Sequence, residues 1–238
     1  MNLKRLFDLG LAFVGLVLVS PIFALVSLMS KLSGNGVFFI QRRVGESSKP
    51  FPLIKFATMT KDAHVVGGTI TYRDDPRVTT MGALLRKSKI NELPQLINVL
   101  KGEMSFVGPR PLPASEVSIY PPDVAEKIYS IKPGITGLAS LYFYNEELLL
   151  SRNEEVAEDT FRNTIMPRKA ELELWYVENR RFLLDLKIIL ATTLIICLPN
   201  YSILSFISKR LGGSEIRQKA GEVLEMQYNL SIQDGNGD

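Results

Sequence analysis

The sequence predicts a helix-rich α+β protein with short strands, attached to a membrane by its N-terminal helix and by amphipathic helices near its C-terminus. An uncharged run of 22 residues from Leu9 to Ser30 and a second of 21 from Ile188 to Ser208 indicate the membrane contacts. Between them the chain is mixed in polarity, with frequent Pro and Gly and only short strand candidates. We therefore expect a membrane helix in residues 1–33, a main domain in residues 34–187, interfacial or core helices in residues 188–211 and a polar tail in residues 212–238.

Composition excludes several classes of protein. Hydrophobic residues make up 46% of the 238 residues and the formal net charge is only +3, which excludes a disordered tail protein. Three surplus positive charges are too few to indicate nucleic-acid binding, while a membrane surface and phosphate groups stay open as partners. One Cys and one His exclude a disulfide scaffold and a zinc cluster, so any chemistry must come from carboxylates, Arg, Lys and amides.

The N-terminal uncharged run is too long for the ~7–15-residue core of a signal peptide. As a helix it would be roughly 33 Å long, enough to cross the hydrocarbon of a bilayer. Pro21 near its middle removes a backbone donor, and Ser20 offers a hydroxyl to the freed carbonyl, so a bend is expected there. Because both flanks are basic, a re-entrant hairpin is favoured, with a single Pro-kinked span as the alternative. The flanking cations are Lys4, Arg5, Lys31, Arg42 and Arg43.

The first half of the main domain predicts two short strands and a loop. The segment VFFIQ at 37–41 is typical of a strand, RRVGESSKPF after it of a basic turn, and PFPLIKFATM of a second strand. A long loop is expected over residues 61–77, where Gly67-Gly68 and Asp74-Asp75-Pro76 lie. His64 in this loop is expected to be a solvated residue rather than a catalyst.

Residues 81–111 carry the most informative pattern. Apolar spacing predicts two short helices, with Ser88 able to cap the second, so that Asn91 and Glu92 lie at a helix start. Further on, Arg110 stands between two prolines that stiffen its backbone. A carboxylate near Arg side chains and a helix N-terminus suits the binding and breaking of a phosphate ester. The alternative from the residues alone is a solvated surface pair of opposite charges.

The ordered motifs from Lys4 to about Lys187 resemble the bacterial sugar transferase family, the small membrane-monotopic phosphoglycosyl transferases. The matching pieces are KRLFD at 4–8, Ser20-Pro21, VFFIQRRVG at 37–45, DPR at 75–77, NELPQLINVLKGEMSFVGPRP at 91–111, KPGITGLA at 132–139, and YVEN and LDLK within 176–187. So many matches in order, over most of the chain, are not expected by chance.

The resemblance implies an activity and a cofactor. Members of this family move a phosphosugar from a UDP-sugar to a polyprenol phosphate such as undecaprenyl phosphate, releasing UMP, at the cytoplasmic face of the bacterial inner membrane. They use an Asp-Glu dyad and Mg²⁺, with the Asp attacking phosphorus to form a covalent intermediate. Glu92 falls on the family's Glu, whereas the Asp position is Asn91 here. An amide is a far weaker nucleophile and metal ligand than a carboxylate.

Three interpretations of Asn91 remain open. Glu92 acts as nucleophile or metal ligand; transfer is direct, with Glu92 and Mg²⁺ positioning the acceptor; or the chain is a weakly active or inactivated relative. The sequence departs from the family elsewhere too, with Ala57 where Arg is usual and Ser140 where Gln is usual. The resemblance also assigns Arg86 and Arg110 to phosphate binding, and gives substrate or structural roles to Gln41, Arg42, Arg77 and Asn98.

The C-terminal third predicts helices at the membrane surface. Residues 168–187 alternate apolar and charged groups in the manner of a helix lying on the bilayer, which would put Trp175 and Tyr176 at headgroup depth. Pro199-Asn200 splits the second uncharged run into pieces too short to span the bilayer, so interfacial or core helices are expected. The polar tail after Gly212 is expected to fray.

The resulting functional prediction is the first step in building an O-antigen, capsule or related surface glycan. Its partners are a UDP-sugar, a polyprenol phosphate and inner-membrane lipid, without nucleic acid, and a homodimer is open. The rivals are a glycosyltransferase that releases UDP and a non-catalytic membrane scaffold. The residues that select the sugar cannot be told apart from structural ones in the sequence.

Overall fold

The computed structural model describes residues 3–32, 36–63, 70–198, 218–219 and 221–226, and His64 lies outside them. It is mostly helical with short strands, which confirms the predicted fold class at that level. The helices are α1 (Leu3–Leu32), α2 (Thr80–Lys87), α3 (Gln95–Lys101), α4 (Ala114–Val117), α5 (Pro122–Ile128), α6 (Leu138–Tyr142), α7 (Glu154–Thr160), α8 (Met166–Asn179) and α9 (Phe182–Cys197). The strands are β1 (Phe38–Val44), β2 (Pro50–Phe56), β3 (Ser105–Val107) and β4 (Gly134–Thr136).

The first sheet is an antiparallel hairpin of β1 and β2, with Phe38 opposite Phe56 and Val44 opposite Pro50. Both strands were predicted, but β1 continues three residues beyond the expected end. Arg42 and Arg43 are therefore strand residues, and the expected basic turn is wrong at these two positions. The reason is pairing, because β2 supplies ladder partners as far as Val44.

The second sheet pairs β3 with β4 in parallel and depends on two glycines. A Cβ on Gly134 would lie 2.1 Å from the backbone nitrogen of Gly108, so any side chain here would push the two segments apart. The Gly108 N–H donates to the Thr136 carbonyl at 3.0 Å, and the Gly134 N–H donates to the Pro109 carbonyl at 2.9 Å. The backbone just before Arg110 is thereby fixed.

Helix α1 is 30 residues long and continues through Pro21. Ser20 Oγ donates to the Val17 carbonyl at 2.8 Å, which is the carbonyl that Pro21 leaves without its helical donor. This confirms the expected compensation by Ser20. By length and composition, α1 could cross a membrane; the re-entrant path stays a prediction.

The N-terminal turns of α1 are anchored to the domain by polar contacts. Asp8 is 3% exposed, and its carboxylate accepts from Ser105 Oγ at 2.8 Å and from the Phe106 N–H at 3.2 Å. Lys4 pairs with Asp185 of α9 at 2.5 Å. The KRLFD motif therefore joins α1 to both β3 and α9.

Contacts with the same domain extend along α1. Arg5 donates to the Val99 carbonyl at 2.7 Å, satisfying the C-terminal end of α3. Toward the other end of α1, Phe23 packs on Phe56 with ring centroids 4.9 Å apart, and Val26 is 5% exposed. Most apolar residues on the remaining face are exposed, among them Leu3, Phe13, Val17, Leu18, Leu25 and Leu32.

The predicted helix over residues 168–187 is two helices, α8 and α9, and the placement of Trp175 and Tyr176 at headgroup depth is wrong. Trp175 is 8% exposed and Tyr176 is 1% exposed, both within the main hydrophobic core. The Tyr176 hydroxyl donates to Asp185 Oδ1 at 2.7 Å. The apolar face of α8 meets protein rather than lipid because α5 and α6 pack against it.

Helix α9 is a core helix on one face, in agreement with the expected interfacial or core helix. Ile188, Ala191 and Ile195 are buried, whereas Leu190 and other apolar residues of the opposite face are exposed. The helix ends at Cys197, just before the Pro-Asn pair that was expected to divide this segment.

Part of the predicted tail is ordered against the domain. Residues 218–219 and 221–226 are helical, Val223 is 1% exposed in the main core, and Glu222 pairs with Arg168 of α8 at 2.9 Å. The expectation that the tail frays is wrong for these residues because Val223 finds an apolar site.

We expect Asp8→Ala to lower the free energy of unfolding by about 1–3 kcal/mol, because Ser105 Oγ and the Phe106 N–H lose their buried acceptor. Thermal unfolding in detergent measures the change. Asp62→Ala, at an exposed turn residue, serves as the control and should leave the melting temperature unchanged. Equal melting temperatures for the two variants would contradict the anchoring role of Asp8.

Candidate active site

A cavity of about 910 Å³ lies between the β1–β2 hairpin, the start of α3, the loop after β3, and helices α6 and α8. It brings together residues that the sequence analysis proposed from distant segments. Those on its wall are Gln41, Arg77, Arg86, Asn91, Glu92 and Arg110.

Asn91 and Glu92 lie on a short 3₁₀ turn, Ile90–Glu92, between α2 and α3. Lys89, with φ at 57°, reverses the chain into this turn, and its carbonyl accepts from the Glu92 N–H at 3.1 Å. Ser88 was expected to cap the following helix, and this is wrong, because its hydroxyl donates back to the Leu84 carbonyl at 2.8 Å. Asn91 and Glu92 therefore lie on the turn before α3 and not at the start of that helix.

Glu92 is held between two cations. Its Oε1 accepts from Lys55 Nζ at 3.0 Å and from Arg110 Nη2 at 2.9 Å. Burial alone would raise the pKa of Glu92, but Arg110 and Lys55 hold it well below the usual value. Burial lowers the pKa of Lys55 to about 8, although Glu92 opposes this, and Glu92 raises the pKa of Arg110. The carboxylate is therefore ionised at neutral pH.

Asn91 precedes Glu92 on the same turn, also lines the cavity and carries a second side-chain oxygen. Its side chain is buried, and Oδ1 has no hydrogen-bond partner within the described part of the chain. No group of three or more His, Cys, Asp or Glu residues forms a metal cage among the described residues. Mg²⁺ needs only one or two protein oxygens when substrate phosphates and water complete its shell, so Glu92 with Asn91 Oδ1 fits such an ion.

The backbone of Arg110 is held from both sides. Its N–H donates to Oε1 of Glu173 at 3.1 Å, and its carbonyl accepts from the Tyr129 hydroxyl at 3.0 Å. Pro109 and Pro111 restrict the flanking dihedral angles. The guanidinium is thus aimed at Glu92 from a backbone that has little freedom.

The other predicted cations on the wall have protein partners. Arg86 donates from Nε to Thr58 Oγ1 at 2.9 Å and lies 3.4 Å from Glu147. Arg77 forms a buried pair with Asp75 at 2.7 Å. Arg86, with one weak ion pair, is the better placed of the two to bind an anion.

Two predicted residues lie away from the cavity wall. Arg42 is exposed on the opposite face of β1 from Gln41. Asn98 is fully buried, donates to the Pro52 carbonyl at 2.7 Å and accepts from the Ile54 N–H at 3.1 Å. Asn98 therefore ties α3 to β2, which is the structural one of the two roles considered for it.

Sequence reasoning missed Lys55, Arg43, Lys169 and Glu173, all of which line the cavity. Lys169 and Glu173 are four residues apart on α8, on the same buried face as Leu172. Two charged residues on an otherwise apolar helix face were the sequence signal that could have identified them as site residues. Lys55 offered a similar signal, because it is a cation within an otherwise apolar strand.

Glu173 is the least solvated acid of the site. It is 3% exposed, and burial raises its pKa to about 7, against the effect of the Arg110 N–H and of Lys169. Burial also raises the pKa of Glu116, another wall residue. The two other positions that depart from the family, Ala57 and Ser140, lie on this wall as well.

A mostly helical domain with a long apolar N-terminal helix, and a cavity in which two cations hold the buried Glu92 carboxylate, suits a transferase acting on phosphate esters. A sequence model of the bacterial sugar transferase family matches residues 1–198. The chain belongs to this family.

Three similar proteins agree with that assignment. The uncharacterized sugar transferase EpsL of Bacillus subtilis is 42% identical over 194 residues, covering 81% of this chain and 86% of EpsL. The exopolysaccharide production protein ExoY of Sinorhizobium fredii is 36% identical, covering 84% of this chain and 87% of ExoY. The Escherichia coli UDP-glucose:undecaprenyl-phosphate glucose-1-phosphate transferase is 36% identical over 80% of this chain and 39% of its own length.

We expect the stability of the fold to depend on pH through Glu173. Because folding raises its pKa from 4.5 to about 7, its stabilising contribution is full below about pH 4.5 and is lost as the pH rises through 7. Relative to Glu173→Gln, wild-type protein should lose about 2 kcal/mol of unfolding free energy between about pH 5 and 8. Chemical denaturation at each pH measures this. Glu126→Gln, at an exposed position, should track wild type; if Glu173→Gln does so too, the buried acid is not the cause.

Proposed function

We propose that this protein transfers a sugar-1-phosphate from a UDP-sugar to undecaprenyl phosphate, releasing UMP, as the first step of a bacterial surface glycan. The observation that carries the proposal is Glu92, buried and ionised between Arg110 and Lys55 on the wall of the cavity. The named activities of the relatives favour this reaction over a glycosyltransferase that releases UDP. They also favour an enzyme over a non-catalytic scaffold.

The reaction needs cations near the leaving phosphate. A nucleophile forms a bond to the phosphorus next to the sugar, and the bond from that phosphorus to the bridging oxygen breaks, so that the electron pair leaves with UMP. Negative charge develops on the leaving phosphate, where Arg and Lys side chains stabilise it. Arg110 and Lys55 are the cations nearest Glu92, and Arg86 is a further cation on the same wall.

The identity of the nucleophile depends on Asn91. With an amide at this position, either the Glu92 carboxylate attacks phosphorus, or the acceptor phosphate attacks it directly while Glu92 helps to position the substrates. Mg²⁺ held by Glu92 and Asn91 Oδ1 would neutralise phosphate charge. Arg110 orients the phosphate in both routes, and its clamped backbone suits that role.

We place the protein on the cytoplasmic face of the inner membrane, with α1 entering the bilayer and returning. Asp8 near one end of α1 and Val26 near the other both pack on the same domain. If α1 crossed the bilayer, its second half would lie in about 30 Å of hydrocarbon, and the part of the domain packed on that half would lie there too. The exposed apolar face of α1, and that of α9, then contact lipid.

The assay for this function separates its rivals by product. Purified protein in detergent is mixed with undecaprenyl phosphate, Mg²⁺ and each of several UDP-sugars, and the nucleotide product is identified. UMP supports the proposal, and UDP would identify a glycosyltransferase instead. If neither nucleotide forms from any sugar with folded protein, the scaffold interpretation replaces the enzyme.

Asn91→Asp tests the route. If the amide stands where a nucleophilic carboxylate is needed, we expect this variant to release UMP about tenfold faster or more, and to form a sugar-phosphate adduct without acceptor. Intact-protein mass after mixing with UDP-sugar and Mg²⁺ detects the adduct.

Glu92→Gln is the matched comparison. An adduct on wild type that Glu92→Gln abolishes and Asn91→Asp barely changes would make Glu92 the nucleophile. Wild-type turnover without any adduct would favour direct transfer.

We expect tags placed at residue 1 and after residue 34 to be protected together from an external protease in spheroplasts, because both basic flanks of α1 stay on the cytoplasmic side. A periplasmic protein serves as the positive control for digestion. Cleavage of the N-terminal tag with protection of the other would identify a single span.

A further inference from the structure

Among the residues that the structure describes, four that line the cavity carry a buried polar atom without a hydrogen-bond partner. These atoms are Arg43 Nε, Asn91 Oδ1, Ser140 Oγ and Glu173 Oε2. Buried polar atoms in folded proteins are nearly always hydrogen-bonded, and exceptions call for a missing partner. Asn91 Oδ1 is available to Mg²⁺, and the other three atoms, one donor nitrogen and two oxygens, indicate a ligand that offers both donors and acceptors.

Two of these atoms lie where α6 faces α8. Ser140 and Phe143 are three residues apart, on one side of α6 and its C-terminal cap, while Lys169 and Glu173 are four apart on α8. Lys169 Nζ lies 5.6 Å from the Phe143 ring centroid, which joins the two sides. A Cβ on Gly137, one turn before Ser140, would lie 3.8 Å from Glu173 Oε2. We call Ser140, Phe143, Lys169 and Glu173 the α6–α8 wall.

The charges of the α6–α8 wall do not suit a phosphate. Lys169 is already paired with Glu146 at 2.5 Å, and Glu173 and the neighbouring Glu116 are acids. A phosphate would be repelled here and attracted to Arg110, Lys55 and their neighbours. A neutral group that carries hydroxyls can instead bond to Ser140 Oγ and Glu173 Oε2.

The distance of the α6–α8 wall from Glu92 decides whether the wall would contact the sugar or the uridine of a UDP-sugar. Arg110 touches Glu173 with its backbone N–H and Glu92 with its guanidinium, so the wall begins one arginine side chain away from Glu92. In the proposed reaction the sugar is bonded directly to the phosphorus under attack, whereas a second phosphate separates that phosphorus from uridine. The group nearest to the reacting centre on this side is therefore the sugar.

Resting on the proposed function, we infer that the α6–α8 wall binds the hexose of the UDP-sugar, and that Glu173 and Ser140 select it by hydrogen bonds to its hydroxyl or acetamido groups. Phe143 supplies an apolar surface between these polar contacts, as in other small-ligand sites. Glu173 Oε1 remains with the Arg110 N–H, so one carboxyl links sugar selection to the position of the phosphate-binding arginine.

The test compares kcat/KM for UMP release from UDP-glucose, UDP-galactose and their two 2-acetamido counterparts. We expect Glu173→Gln, which turns the free acceptor into a donor, and Ser140→Ala, which removes a hydroxyl, each to lower the ratio of the preferred sugar to the others by about tenfold. Inhibition by the product UMP should change less than twofold in both variants. Glu173→Gln retains an oxygen for the Arg110 N–H, and Ser140→Ala is the second variant should the first unfold.

Two control variants are compared with Glu173→Gln and Ser140→Ala. Arg110→Lys should slow all four sugars by the same factor, because it removes a phosphate contact and leaves the wall intact. Ser118→Ala, an exposed serine that bonds locally to the Ser115 carbonyl, should change nothing.

An equal loss for all four sugars in Glu173→Gln and Ser140→Ala would overturn the inference and make these residues structural. Weaker inhibition by UMP in these variants would also overturn it, by assigning the wall to uridine. The absence of UMP from wild type with every sugar would instead be a failure of the proposed function, and the inference would fall with it.

Discussion

Glu92 stays ionised inside the protein because Arg110 and Lys55 donate to the same carboxylate oxygen. Removing such a group from water costs several kcal/mol when no partner compensates, so the three side chains must be buried together. Each comes from a different segment: the hairpin, the turn before α3 and the loop after β3. This ion cluster therefore holds the three segments together at the cavity.

A cluster assembled before substrate arrives has a catalytic advantage. Donors that already point at the reacting position need no reorganisation when charge develops there. Glu173 and Tyr129 hold the backbone of Arg110 while its guanidinium stays with Glu92, so a phosphate oxygen can be bound by a modest shift of one side chain. Gly108 and Gly134 also help to fix Arg110. They allow close backbone contact between the segment that precedes Arg110 and β4, which follows Tyr129 in the chain.

Local features of the sequence predicted a good part of this arrangement. The β1 and β2 strands and the short helices around Glu92 follow from apolar spacing, and the stiff loop at Arg110 follows from its prolines. Lys55 and Glu173 were missed because their burial depends on segments far away in sequence. The same limit explains Trp175: an amphipathic pattern identifies an apolar face but not whether lipid or protein covers it. The β3–β4 sheet has only three-residue strands, which no periodicity can reveal.

Helix α1 and the candidate active site are joined through β3. Asp8 of α1 holds Ser105 and Phe106 at the start of that strand, and Lys4 Nζ donates to the Val107 carbonyl at 3.3 Å. Three residues after Val107 the chain reaches Arg110. Gly108 and Pro109, between β3 and Arg110, are hydrogen-bonded to Thr136 and Gly134, so in the membrane arrangement proposed above the depth of α1 in lipid would set the height of Arg110. An acceptor whose phosphate is tethered to the membrane can only present that phosphate near the membrane surface, so in this arrangement the polar anchor of α1 would also set the distance over which the two substrates must meet.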